Sequence, residues 1–441
     1  MSRKEPLLSA EAVPKVRLFT IYFFVIMLCN ACTNLGSQLL DTSRALHVES
    51  LGGTAKFAGF TLTLTAASAT VMRILTGRTS DKVGRRGLII AGSVIFGLSA
   101  LSFNVFPSLG ALSVINIVRG AGMSIASTTI SVAITDVIPK ERMAEGLGYF
   151  GLTQPLTNVV GPGITAGLIA AGSFSTIFYI AAGIIFAVPV VMLFCNYEKA
   201  VGRIRPKTGI SDETTGYAGD AGDTDDAGEK SRSDSSATEK KSKKPDEPRG
   251  LAAYFEKSAL PCSAIMLFTS MAQGANLTFL MAYAFHIGVP NPVLYYTLSA
   301  VFMVCFRLFT GRLADRFKPV YMIVLGIAIN AAAFTCLMLA PENHTLFYIA
   351  GATAGVANGI SGPVMQATVV RMAPESRRGA AMATYIFPLD VGLAVGSFVW
   401  GVVVDNSGYR AMYAGSIGCL LAAIALAAIL LRKVGPARAS R

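Results

Sequence analysis

Gly77-Arg78-Thr79-Ser80-Asp81-Lys82-Val83-Gly84-Arg85-Arg86 is a block of charge set between two long apolar runs. A worn copy follows in the second half of the chain, Gly311-Arg312-Leu313-Ala314-Asp315-Arg316-Phe317-Lys318-Pro319. Each copy has an arginine four residues ahead of its first glycine, Arg73 and Arg307, so the spacing Arg-x3-Gly-x3-Asp-[Lys/Arg] occurs twice. A single charged turn between two helices would do no more than set topology. Two copies in corresponding places point to an internally duplicated chain, as expected of bundles built from membrane-spanning repeats.

The surrounding composition fits that reading. Of the 441 residues, 53% are hydrophobic and 15% are charged, whereas soluble domains carry about 25% charged residues. Mean hydropathy is +0.55. Apolar runs of about 20 residues mark membrane spans. We place them at about 18–41, 57–77, 87–106, 109–136, 144–171 and 174–195 in the first half, and at about 259–286, 291–310, 320–340, 345–372, 380–404 and 409–431 in the second. Residues 42–56 are read as a short outside loop holding Arg44, His47, Glu49 and Lys56. The polar start, Met1 to Arg17, followed by so long an apolar run, is read as a first span rather than a cleaved signal.

Basic residues fall in alternate loops: Lys15 and Arg17, Arg78 to Arg86, Lys140 and Arg142, Arg312 to Lys318, Arg377 and Arg378, and the tail. The positive-inside rule puts these loops, and both termini, in the cytoplasm of a multi-pass cell-membrane protein. Loops of this kind account for the net charge of +12 without any nucleic acid. From 197 to 250 the apolar pattern stops, and Asp, Glu, Ser, Ala, Gly and Lys dominate. Such a segment buries too little surface to order itself, so we read it as a disordered cytosolic linker. The expected organisation is 1–196, 197–250 and 251–441: two pseudo-symmetric six-helix bundles, all α and in the membrane, joined by that linker. Pro139-x-x-Arg142 recurs as Pro374-x-x-Arg377, and Gly161 matches Gly396 at the same offset.

The charged block resembles the hallmark loop of the major facilitator superfamily of transporters, Gly-x3-Asp-[Arg/Lys]-x-Gly-[Arg/Lys]-[Arg/Lys]. The first copy matches every position; the second keeps Gly311, Asp315 and Arg316 but has Lys318 and Pro319 where glycine and a basic residue are usual. In span five, Gly148, Gly161 and Pro162 match the family's antiporter motif, while Thr157, Thr165 and Ala166 replace glycines. That motif goes with export in exchange for protons. In span four, Gly120 and Gly122 fit a second family motif, but Asn116 stands in place of its arginine and Arg119 in place of its glutamine. The resemblance implies two bundles that rock about a central cleft lined by the first spans of each three-helix repeat. It also implies a cytosolic latch formed by Gly77, Asp81 and Arg85, with a weaker one at Gly311 and Asp315.

Polar residues inside the spans are the candidate site. Asn30, Asn34 and Gln38 recur at i, i+4 and i+8, on one helical face. Gln154 and Asn158 lie in span five, Gln273 and Asn276 in span seven, and Asn358 in span ten. They are expected to line the cleft; interhelical hydrogen bonding is the bland alternative. Arg119 lies about 15 Å from the nearer end of its helix, where an arginine needs water or an anion. Asp390 is the one carboxylate read as deep in a span. Burial raises a carboxyl pKa and a nearby cation lowers it, so a group held between the two can carry a coupling proton, with Arg119 as the tuning cation. The alternative is a permanent Asp–Arg pair.

The seven cysteines all lie in or beside apolar runs, where they act as small hydrophobes. No metal cluster, nucleotide loop or catalytic triad is legible, so no cofactor is expected and the chain is read as no enzyme. The partners expected are a small-molecule substrate, protons and the lipid bilayer, with the chain acting as a monomer. The reading is a proton-coupled exporter of small apolar or amphipathic molecules. An importer of a metabolite anion held by Arg119, and a membrane sensor that does not transport, are the alternatives.

Overall fold

A computed structural model describes residues 18–139, 142–195, 197–198, 256–374 and 377–431; for 74, 77–83, 144, 311–312, 314–316 and 378–379 only the backbone is described. The expected linker therefore lies outside the described residues, apart from 197–198. Among the described residues twelve α-helices follow one another: α1 Ile21–Ser50, α2 Ala55–Val83, α3 Arg85–Val105, α4 Leu109–Val137, α5 Met143–Gly151, α6 Thr153–Ala170, α7 Phe174–Phe194, α8 Leu260–His286, α9 Val293–Arg316, α10 Pro319–Leu339, α11 Thr345–Met372 and α12 Arg378–Leu430. No strand occurs among the described residues.

The fifth span is broken into α5 and α6 at Leu152. The last two spans form one α12 parted at Gly408, where φ is 78° and the helix turns back on itself. The helices thus accommodate the twelve spans expected, and among the described residues eight are long and apolar enough to cross a bilayer by length and composition.

Two boundaries differ from the sequence reading. The charged block is not a ten-residue turn: α2 continues through Val83, and the reversal is made by Gly84 alone. Its φ of 88° is one that only glycine adopts without strain. The short turn is secured by reciprocal capping. Glu198 accepts the N–H groups of Arg85 and Arg86 at 2.7 and 3.0 Å, placing an anion at the positive start of α3. Arg86 donates to the carbonyls of Met192 and Leu193, 2.8 Å each, at the negative end of α7.

Span one is also longer than expected. It does not end at 41, because α1 runs to Ser50 and takes Arg44 and His47 into the protein interior. The physical reason is local: Arg44 pairs with Asp41 one turn earlier, so its charge does not need a loop.

The duplication is visible in packing. Gly161 of α6 meets Gln38 of α1 so closely that a Cβ would lie 2.6 Å from that of Gln38. Gly396 of α12, its counterpart, meets the Met271 backbone of α8 in the same way. Each half therefore packs its fifth span against its first through a residue without a side chain.

The halves meet along α2 and the first rod of α12, which run antiparallel. At the end away from the charged block, Asp405 accepts the N–H groups of Ala55 and Lys56, one on each carboxylate oxygen, both at 2.8 Å. Further along, Gly59 lies against the backbone of Ser397 with no room for a Cβ, and Thr63 donates to the Ala394 carbonyl at 2.7 Å.

Candidate functional site

Between the halves lies a cleft of 310 Å³. Its wall takes Gln38 and Asp41 from α1 and Asn158 from α6. From the second half come Gln273 and Asn276 of α8, Tyr295, Tyr296 and Ser299 of α9, and Asn358 of α11. The amides are tied in pairs across neighbouring helices. Gln38 donates to Asn158, which also accepts from Gln154 at 3.2 Å. Gln273 donates to Asn358 at 3.2 Å, and Asn276 to the Tyr295 hydroxyl at 3.4 Å. The buried carbonyl oxygen of Asn276 has no hydrogen-bond partner among the described residues. A second cavity of 260 Å³ adjoins the cleft in the second half and shares Gln273, Asn358 and Leu393 with it.

Five of the nine residues expected to line the cleft do so: Gln38, Asn158, Gln273, Asn276 and Asn358. The other four lie outside its lining. Asn30 donates to Thr153 of α6 at 2.5 Å and so ties two helices, while Asn34 donates to the Asn30 carbonyl of its own helix at 2.9 Å. Gln154 is exposed and holds Asn158. Arg119 is 1% exposed and turns into a small pocket with Arg44, His47 and Asn116.

The ionic network differs from the one expected. Arg119 donates to Asp41 at 2.7 Å and to Ser37 at 3.3 Å, and its Nε and Nη1 have no hydrogen-bond partner among the described residues. Asp41 also takes Arg44, so one carboxylate serves two buried guanidiniums behind the cleft wall. Asp390 is accordingly not the sole deep carboxylate. Its partner is Arg73 of α2, the arginine ahead of the first charged block, and not Arg119. This pair bridges the two halves. Asp390 is 16% exposed and Arg73 37%, so the pair is only partly buried.

Of the residues expected to latch the cytosolic side, Arg85 pairs with Asp136 of α4, within its own half. The side chains of Asp81 and Asp315, and the surroundings of Gly77 and Gly311, lie outside the described residues. Sequence reasoning missed Asp41, Arg44, Asp405 and the α9 wall of Tyr295, Tyr296 and Ser299. Asp41 and Arg44 stand three apart, a spacing that pairs side chains on a helix and that could have revealed them.

Two bundles related by an internal repeat, a polar cleft between them, and an ion pair spanning their boundary are the architecture of a membrane transporter. The family model of the Major Facilitator Superfamily matches residues 26–296 and 259–441, and the chain belongs to that family. It is a multi-pass membrane transporter of small molecules, not an enzyme. The chain is similar to the staphylopine export protein of Staphylococcus aureus, 22% identical over 92% of each chain. It is also similar to the quinolone resistance protein NorA of Staphylococcus aureus, 25% identical over 42% of this chain and 46% of that one. Among solved structures, the nucleoside transporter NupG superposes with a TM-score of 0.69 at 12% identity, covering 94% of this chain and 100% of that one. A bacterial homologue of the lysosomal transporter Spinster, solved inward-facing and unoccupied, gives 0.66 at 12% identity, covering 93% and 95%.

Proposed function

We propose that this protein is a proton-coupled exporter of small apolar or amphipathic molecules, acting as a monomer in the cell membrane with both termini in the cytoplasm. The relatives named for export and for quinolone resistance support the direction. The observation that carries the coupling is the Arg73–Asp390 pair across the two halves beside the cleft. A carboxylate holds a guanidinium; a protonated carboxyl does so far less strongly. Proton uptake by Asp390 therefore loosens the contact between α2 and α12, and proton release restores it. A proton gradient shifts the equilibrium between cleft states only through such a group, whose two forms favour different states.

With the basic end facing the cytoplasm, the seal made by Asp405, Gly59 and Thr63 lies outside, and on this reading the cleft opens inward while that seal is shut. Asp81 and Gly77, with Asp315 and Gly311, would then form the opposite seal in the outward-open state. Arg119 holds Asp41 in place and shapes the cleft wall from behind. The test is concentrative transport in proteoliposomes under an imposed pH gradient. Wild-type protein should accumulate substrate against its gradient, while Asp390→Asn should bind substrate and exchange it downhill only. Accumulation by the Asn variant would remove Asp390 from the coupling path.

A further inference from the structure

The duplication makes Arg73 and Arg307 counterparts, yet the structure gives them different surroundings. Arg73 has Asp390 across the boundary. The offset that relates Gly161 to Gly396 and Arg142 to Arg377 brings Asp390 onto Pro155 in span five. The first half thus offers no carboxylate where the repeat would need one. Arg307 reaches instead towards the end of α5, where its Nη2 lies 3.9 Å from the position a Cβ on Gly151 would take. Among the described residues it has no ion-pair or hydrogen-bond partner, and it is exposed.

Its position is next to the cleft. Ser299 and Met303 of α9 line the cleft wall, and Arg307 follows one turn later on the same face. It stands about 5 Å by helix rise inside Thr310, where the apolar span within α9 ends. Exposed beside the cleft mouth and unpartnered among the described residues, its guanidinium is available to an entering anion, and a guanidinium matches a carboxylate in geometry as well as charge.

We propose that Arg307 is an anion-binding residue of the cleft mouth, which receives the carboxylate of an acidic amphiphile whose apolar body enters the cleft. This rests on the reading of the chain as a transporter of small molecules, and it names the substrate class. The missing acid of the repeat is supplied by the ligand, so the boundary between α9 and α5 carries a complete ion pair only when the cleft is loaded.

The test is binding to the purified full-length protein in detergent, without any gradient, so its outcome is independent of whether transport is coupled to protons. The probes are 1-naphthoate and its uncharged amide, measured by calorimetric titration. Wild-type protein should bind naphthoate about tenfold more tightly than the amide, the effect of one charge-assisted contact. Arg307→Gln should abolish that preference and Arg307→Lys should keep part of it. Gly151→Asp, which offers Arg307 a carboxylate from within the chain, should abolish it while Arg307 is intact. A preference unchanged in Arg307→Gln, or no naphthoate binding by the wild type, overturns the proposal. So does an Arg307-dependent response to sodium chloride equal to that for naphthoate, which would make this an inorganic-anion site.

Discussion

Asp405 accepts the backbone N–H of Lys56 at 2.8 Å, across the boundary between the two halves. With its second oxygen on Ala55, one side chain of α12 caps the first turn of α2, where free N–H groups and the helix dipole both favour an anion. The two halves cannot separate at this end without leaving these groups to water.

Asp405→Asn should therefore weaken the closed state at this end by about 1 kcal/mol, the value of an anion at a helix start. A cysteine placed at Ser299 in the cleft wall should react faster with a membrane-impermeant reagent added from the outside. Unchanged labelling would show that the cap does not hold this end shut.

The Arg73–Asp390 pair allows a sharper test than single substitutions. Neutralising one partner leaves an unpaired charge in a partly buried place, so either single variant should lose stability. Arg73→Gln combined with Asp390→Asn removes both charges, and its melting temperature should recover most of that loss. If the pair is only structural, uphill transport should recover alongside stability. Recovered stability without uphill transport is the outcome expected of a coupling site.

Asp41→Asn should be more damaging to the fold than Asp390→Asn. It deprives Arg44 and Arg119, 6% and 1% exposed, of their shared carboxylate. Uncompensated charges of this kind cost about 3–5 kcal/mol. Thermal unfolding in detergent provides the measurement, and a midpoint within error of wild type would contradict the assigned network.

Gly59→Ala should act like Asp405→Asn through sterics rather than charge. Its Cβ has no room against the Ser397 backbone, so the end of the cleft that Asp405 seals should be forced apart. Outside labelling of the Ser299→Cys reporter should increase with no dependence on ionic strength, whereas the Asp405 effect acts through charge.

The repeat was legible because it rests on residues that spacing alone exposes: Arg73 and Arg307, Gly161 and Gly396. The amides of the cleft were half legible. A polar side chain in an apolar run must find a partner, but sequence does not say whether that is a cavity, as for Asn276, or a neighbouring helix, as for Asn30. The ionic network was the least legible. Asp41 and Arg44 read as the edge of a loop because charge inside a span is costly, and that cost is offset by Arg119, which is distant in sequence. Asp405 was overlooked for another reason: its partners are backbone N–H groups, which any residue supplies.

The contact between Gly59 and Ser397 has no side chain to slide or bend. Most packed helices can shift slightly as rotamers change, whereas two backbones in contact are either touching or parted by water. Opening at this end is therefore a discrete step. Recorded molecule by molecule, it would appear as abrupt jumps between two levels with random waiting times, and not as a gradual drift.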